Sequence, residues 1–195
     1  MNFLAHIYLS GDSTPLTIGN FIADFLRGSK MEDFEPEIQK GIRLHRSIDL
    51  YTDNHDVVMR SKKRLWDKYR HFSGVIVDIY YDHYLAKNWN MYSDLPLKTY
   101  VDNFYSMIHA NILPPKVNEM VPYMMKHDWL TNYANFEGIH NVMQGMSRRT
   151  RHESKMEESV NELKEDYEGF KEDFFEFFPD LEAYVAKYLI EYEDR

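Results

Sequence analysis

The stretch from Gly74 to Trp89 constrains this chain more than any other, because it places acids inside an apolar helix. Val75, Ile76, Val77, Ile79, Tyr80, Tyr81, Tyr84 and Leu85 form a strongly apolar run without the two-residue alternation of a half-buried strand. Asp78, Asp82 and His83 lie within it. Carboxylates at 78 and 82 must then be at least partly buried. An ionised carboxylate buried without a partner costs several kcal/mol and usually takes up a proton instead. Asp78 and Asp82 are one helical turn apart and repel each other unless something intervenes. A divalent cation would resolve this, and so would an arginine, with Arg43 and Arg46 as candidates for a buried ion-pair network. On these residues alone both readings stand.

A second stripe has the same spacing. His45, Asp49 and Asp53 are four residues apart, so on a helix their Cβ atoms lie about 5–6 Å from one another along one face. His45 interrupts an otherwise apolar surface made by Ile38, Ile42, Leu44, Ile48 and Tyr51. Imidazole and carboxylate directed inward from neighbouring helices is how helical proteins hold divalent metals. The full set of candidates is His6, Asp24, His45, Asp49, Asp78, Asp82 and His83, each in an apolar helical stretch. His55, His71, His109, His127 and His152 sit instead near helix ends or polar neighbours. Neighbouring helical residues point about 100° apart, so Asp82 and His83 reach one ion only if it lies in the wedge between helices.

Composition narrows the chemistry. The chain has no cysteine, which leaves only nitrogen and oxygen ligands and points to Mn²⁺, Mg²⁺, Fe²⁺ or Zn²⁺. Glycine and proline number only 8 and 7 in 195 residues, which favours helix. The spacing predicts helices over residues 2–9, from Pro15 through Leu26 with Gly28 as the stop and Asp24 on the helix, and from Pro36 to a turn near Asp53-Asn54. A basic helix to about Tyr69, the 74–89 helix, one from Pro96 to about His109, two short ones around Gly138 and a final amphipathic stretch follow. Breaks are expected at Pro114-Pro115, Pro122 and Pro179. The expectation is an all-α protein forming a single domain over 1–195, without a signal peptide or a segment of transmembrane length.

The net charge of −9 is unevenly distributed. Residues 157–195 carry fourteen acids against four basic residues, and the remainder is close to neutral. Basic islands remain at Arg60-x-Lys62-Lys63-Arg64 and Arg148-Arg149-x-Arg151. The first reads as a solvated helix face. The second, in a loop of small residues after Gly145, reads either as a solvated turn or as a clamp for phosphate or an acidic protein surface.

Taken together, these motifs resemble one family. Asn2-Phe3-Leu4-Ala5-His6, Gly19-Asn20-Phe21-Ile22-Ala23-Asp24-Phe25, Gly41-Ile42-Arg43-Leu44-His45-Arg46-x-Ile48-Asp49, Thr52-Asp53-Asn54, Asp78-x-x-x-Asp82-His83 and Asn141-Val142-Met143-x-Gly145-Met146-Ser147-Arg148-Arg149 are similar, in order and spacing, to the acyl carrier protein phosphodiesterase family. That family resembles a non-standard branch of the HD phosphohydrolases, and here the adjacent pair is reversed, Asp before His. The resemblance implies an all-helical, HD-like enzyme dependent on a divalent cation, Mn²⁺ favoured, with Mg²⁺ or Fe²⁺ as the alternatives. The reaction implied is hydrolysis of the phosphodiester joining 4′-phosphopantetheine to a serine of holo-acyl carrier protein. Carried onto this chain, Asp24, His45, Asp82 and His83 are expected to bind metal, with His6 as a supporting or alternative ligand. Asp49, Asp78 and Arg46 are expected to take catalytic roles, and Arg148, Arg149 and Arg151 to meet phosphate or the acidic carrier. A cytoplasmic location is expected, with no membrane or nucleic-acid partner. The competing readings are an HD-type hydrolase for a nucleotide or other small phosphate ester, and a helical binding module whose clusters are structural ion pairs.

Overall fold

The computed structural model describes residues 1–26, 31–111, 113–150 and 153–193. Gly28, the expected stop of the second helix, and Arg151 lie outside them. Among the described residues there is no strand, and no helix is long and apolar enough to cross a membrane.

Helix α1 (Phe3–Tyr8) is short, and its first amides find acceptors outside the helix: Phe3 N–H donates to the Asn2 side chain, and Leu4 and Ala5 donate to Asp82. In α2 (Thr14–Ile22) the Ser13 side chain caps the Leu16 amide and Pro15 occupies the first turn. A 3₁₀ turn, Ala23–Phe25, follows, and this turn rather than the helix carries Asp24. Next come α3 (Pro36–Asn54), the basic α4 (Asp56–Tyr69) and the central α5 (Ser73–Lys87). Beyond them lie α6 (Leu97–His109), α7 (Pro115–Lys126), α8 (Trp129–Asn132), α9 (Phe136–Ser147), α10 (Val160–Glu165) and α11 (Tyr167–Glu193).

Two of the expected proline breaks do not occur. Pro122 lies inside α7 and Pro179 inside α11. An internal proline forfeits one backbone hydrogen bond and crowds the preceding turn. In α11 that loss is offset by burial on both sides of it, through Phe170, Phe174, Phe177, Phe178 and Leu181. The chain breaks instead at Asp166, between α10 and α11. Gly138 likewise separates no helices, since it lies in the first turn of α9, where its amide is capped by Asn135 at 2.8 Å.

Helix α5 lies at the centre, packed against α1, α4, α9 and α11. Its Tyr80, Tyr81 and Tyr84 are fully buried and meet the phenylalanines of α11 edge-on or stacked. The acidic C-terminal segment docks on the basic α4. Arg60, Arg64 and Lys68 recur every four residues along α4: Arg60 and Arg64 each reach Asp173 at 2.6 Å, and Lys68 reaches Glu162 at 2.7 Å. Asp173 is buried and also accepts from Ser61 at 2.6 Å. Part of the expected solvated basic face is therefore an interface within the fold.

The contact that matters most for the site is between α2 and α3. A Cβ at Gly19 would stand 2.1 Å from the Ile38 carbonyl oxygen, and one at Gly41 would stand 2.2 Å from that of Leu16. Only glycine at both positions lets the two backbones come this close. Asn20 follows Gly19, and His45 lies one turn beyond Gly41, so the crossing sets the α2 side chain against the α3 imidazole.

Candidate active site

Three side chains from two helices converge beside the C-terminal half of α3. His6 comes from α1; His45 and Asp49 share a face of α3. Each offers a ligand atom, and those atoms all lie within 4.8 Å of one another. His45 Nε2 is 3.1 Å from Asp49 Oδ2, and His6 Nε2 is 3.2 Å from Asp49 Oδ1. Asp24, from the 3₁₀ turn, approaches the same His45 Nε2 at 3.2 Å. The two imidazoles are almost fully buried, whereas Asp49 and Asp24 reach solvent.

The rings are set by Asn20, which is wholly buried. Its amide nitrogen donates to the His6 carbonyl and to Ser10 Oγ, both at 2.9 Å, which fixes which way the amide faces. Its oxygen, an acceptor only, then receives His6 Nδ1 at 2.8 Å and His45 Nδ1 at 3.2 Å. Both Nδ1 atoms therefore carry hydrogen, and both Nε2 atoms turn toward the carboxylates. Outer partners of this kind hold metal-binding histidines in one tautomer. Asn20 had a place in the sequence motif but no role assigned from it; a buried amide whose partners lie on two other helices leaves no mark of its function in local sequence.

The electrostatics follow from this packing. Burial and the adjacent His45 keep His6 below its ordinary pKa. Burial also opposes charging His45, but its contacts with Asp24 and Asp49 prevail and carry it to about 9. Burial would raise Asp49, yet His45 and His6 hold it far below the usual carboxylate range. Hydrogen bonding to His45 lowers Asp24. The His6 Nε2 atom is buried and lacks a hydrogen bond of acceptable alignment despite its short distance to Asp49. An orphaned imidazole nitrogen, a second one beside it and a carboxylate make an all-nitrogen-and-oxygen donor set, which fits a first-row divalent cation or Mg²⁺. The residues present therefore fit such an ion.

The other expected ligands are engaged elsewhere. Asp82 is fully buried and accepts from Leu4 N–H at 2.8 Å and Ala5 N–H at 3.2 Å, so it caps α1. Burial raises its pKa to about 7 against those hydrogen bonds. His83 faces away from the cluster: Nδ1 donates to the Tyr133 carbonyl at 2.8 Å and Nε2 accepts from the Tyr167 hydroxyl at 3.0 Å. Adjacent residues diverge by about 100°, and no inter-helix wedge here lets both turn toward His45. Asp82 and His83 are thus engaged away from His45, and the side chains that gather beside it are His6, Asp49 and Asp24. Asp78 accepts from the Met1 amino group at 3.0 Å, and that amine lies 3.9 Å from Asp49. Asp53 pairs with Lys62 at 2.7 Å.

Of the arginines, Arg46 is exposed on α3, and Arg148 and Arg149 are exposed just beyond α9. Arg149 lines the same cavity of about 410 Å³ as Asp24. The rest of that wall is chiefly apolar, with Phe3, Phe25, Trp129 and Met146 among its residues. An arginine fork thus faces the space onto which the edge of the cluster opens.

Comparison with known proteins identifies the family. The family model described as acyl carrier protein phosphodiesterase matches residues 1–181. Among curated relatives, a protein of Pectobacterium atrosepticum is 34% identical over 182 residues, covering 92% of this chain and 94% of its own. One from Photorhabdus laumondii is 31% identical over 182 residues, covering 92% of each chain. Another, from Salmonella agona, is 31% identical over 191 residues, covering 96% of this chain and 98% of its own. All three are named acyl carrier protein phosphodiesterase. No solved structure matches. The chain belongs to the acyl carrier protein phosphodiesterase family.

Proposed function

We propose that this member of the acyl carrier protein phosphodiesterase family hydrolyses the phosphodiester that joins 4′-phosphopantetheine to a serine of holo-acyl carrier protein, releasing the apo-protein. One observation carries the reading beyond family membership: the His6–His45–Asp49 cluster borders, through Asp24, a cavity that also presents Arg149. A phosphodiester needs both features, a site for a cation and a guanidinium within reach of the same phosphorus.

His6, His45 and Asp49, with Asp24 against His45, would hold a divalent cation (Mn²⁺ by family likeness), which would supply Lewis acidity and lower the pKa of water. The chain's own residues do the rest. Asn20 holds both imidazoles with Nε2 toward the carboxylates. Arg149 neutralises charge that grows on the non-bridging oxygens as the bond breaks. Asp24, kept ionised by His45, orients water at the open edge of the cluster. Asp82, by capping α1, fixes the helix that carries His6.

The substrate is an acidic protein, so docking calls for local positive charge. Arg148 and Arg149 at the end of α9 supply it, and raising ionic strength weakens the encounter. On this reading the activity lies in the cytoplasm with its carrier protein. The deciding experiment incubates the protein with holo-acyl carrier protein and Mn²⁺ and follows loss of the prosthetic arm by intact mass. Conversion to the apo mass, abolished by a chelator and restored by Mn²⁺, is expected. An unchanged holo mass under all conditions overturns the reading.

A further inference from the structure

The cavity beside Asp24 has more wall than a phosphate needs. A phosphodiester and its cation use only the rim, where Asp24 and Arg149 lie; Phe3, Phe25, Met120, Trp129, Val142 and Met146 extend beyond it. At about 410 Å³ the space falls within the range of pockets that enclose small organic ligands, about 300–1,000 Å³. Those pockets are mostly apolar with a few polar groups that fix orientation, and this one matches. Asn141 and Tyr133 complete the lining.

Tyr133 closes the inner wall: it is fully buried, its hydroxyl is shut off from solvent, and its backbone carbonyl receives His83 Nδ1.

We propose that this cavity receives the pantetheine arm of the substrate, its apolar stretches lying against the aromatic and methionine side chains. The inference rests on the phosphodiesterase reading above and deepens it. The arm is a largely apolar chain interrupted by two amides and ending in a thiol, which suits apolar walls carrying the Asn141 carboxamide. With its phosphate at Asp24 and Arg149, the chain beyond the phosphate passes along Phe25, Trp129 and Met146. Binding energy from this remote part of the substrate then positions the phosphorus at the cluster.

One substitution tests it. Gly145 borders the cavity, and a Cβ there meets nothing within 4 Å, so Gly145→Leu narrows the space without displacing a neighbour. For holo-carrier, kcat/KM should fall at least tenfold in Gly145→Leu, mainly through KM. The loss should be several times greater for holo-carrier than for bis(p-nitrophenyl) phosphate, a diester with no arm. Equal losses on the two substrates, or wild-type values for holo-carrier, overturn the proposal.

A second readout needs no turnover. Trp129 lines the cavity, whereas Trp66 and Trp89 do not. Titration of the protein with 4′-phosphopantetheine should change tryptophan fluorescence saturably, and Gly145→Leu should weaken that binding at least tenfold. If wild-type protein leaves holo-carrier intact, the functional reading fails, and the titration alone judges the cavity: saturable binding weakened in Gly145→Leu supports it, and no binding overturns it.

Discussion

The imidazole rings of His6 and His45 stack with centroids 4.1 Å apart and planes 20° apart. Two stacked imidazoles are unfavourable as a pair of cations, and the packing divides their behaviour: His6 is pushed down and His45 up. Both rings meet Asn20 at Nδ1 and the carboxylates at Nε2, so one buried amide orients two imidazoles.

Asn20→Ala therefore should loosen both tautomers at once. We expect affinity for Mn²⁺ to fall about 10–100-fold, the usual effect of losing an outer partner of a metal-binding histidine. Isothermal titration with Mn²⁺ checks this, with circular dichroism to show that the helices persist. Unchanged affinity would mean that the rings are held by packing alone.

His45→Ala and Asp82→Ala should fail in different ways. His45 lies in the cluster, so its loss should reduce turnover of holo-carrier at least a thousandfold while circular dichroism shows the helices intact. Asp82 satisfies two first-turn amides of α1, and its removal leaves them buried and unpaired at a cost of about 1–3 kcal/mol. Urea denaturation should register that cost. A fully stable but inactive Asp82→Ala protein would place Asp82 at the metal after all.

Arg149 and Arg46 can be told apart by rate. Arg149 lines the cavity beside Asp24, whereas Arg46 is exposed on α3 outside it. Arg149→Ala should lower kcat/KM for holo-carrier about 100-fold, as expected for a group that stabilises charge in the transition state. Arg46→Ala should lower it less than tenfold. The opposite order would put the phosphate on the α3 side.

His83 gives the pH dependence a definite sign. Burial lowers its pKa from 6.5 to about 4, and the neutral ring satisfies both of its nitrogens. The unfolded chain takes up this proton near pH 6.5, the folded protein only near 4. Stability should thus be fully present above about 6.5 and fall as pH drops toward 4, by about 3 kcal/mol for this group. Urea midpoints at pH 7 and pH 4.5 measure the loss. His83→Gln, which cannot titrate, should flatten that slope; an identical slope would assign it to other groups.

Helical spacing and the scarcity of glycine and proline were enough to read the all-α class, the course of α1 and of α3 through α6, and the inward placement of His45 and Asp49. These are properties of short stretches, where a period near four residues fixes which side chains share a face. Pro122 and Pro179 misled for a related reason. Local sequence records the lost hydrogen bond of a proline, while the burial of Phe174, Phe177 and Phe178 that outweighs it depends on α5.

The membership of the cluster was decided only in three dimensions. His6, Asn20 and His45 lie on three helices, and what joins them is the close crossing at Gly19 and Gly41, where the absence of two Cβ atoms lets backbones touch. Asp82 and His83 had the chemistry of ligands, yet backbone amides of α1 and the Tyr133 carbonyl claimed them first. Residue type and period determine which groups are available to a cation; the direction of each side chain across a helix interface determines which of them converge.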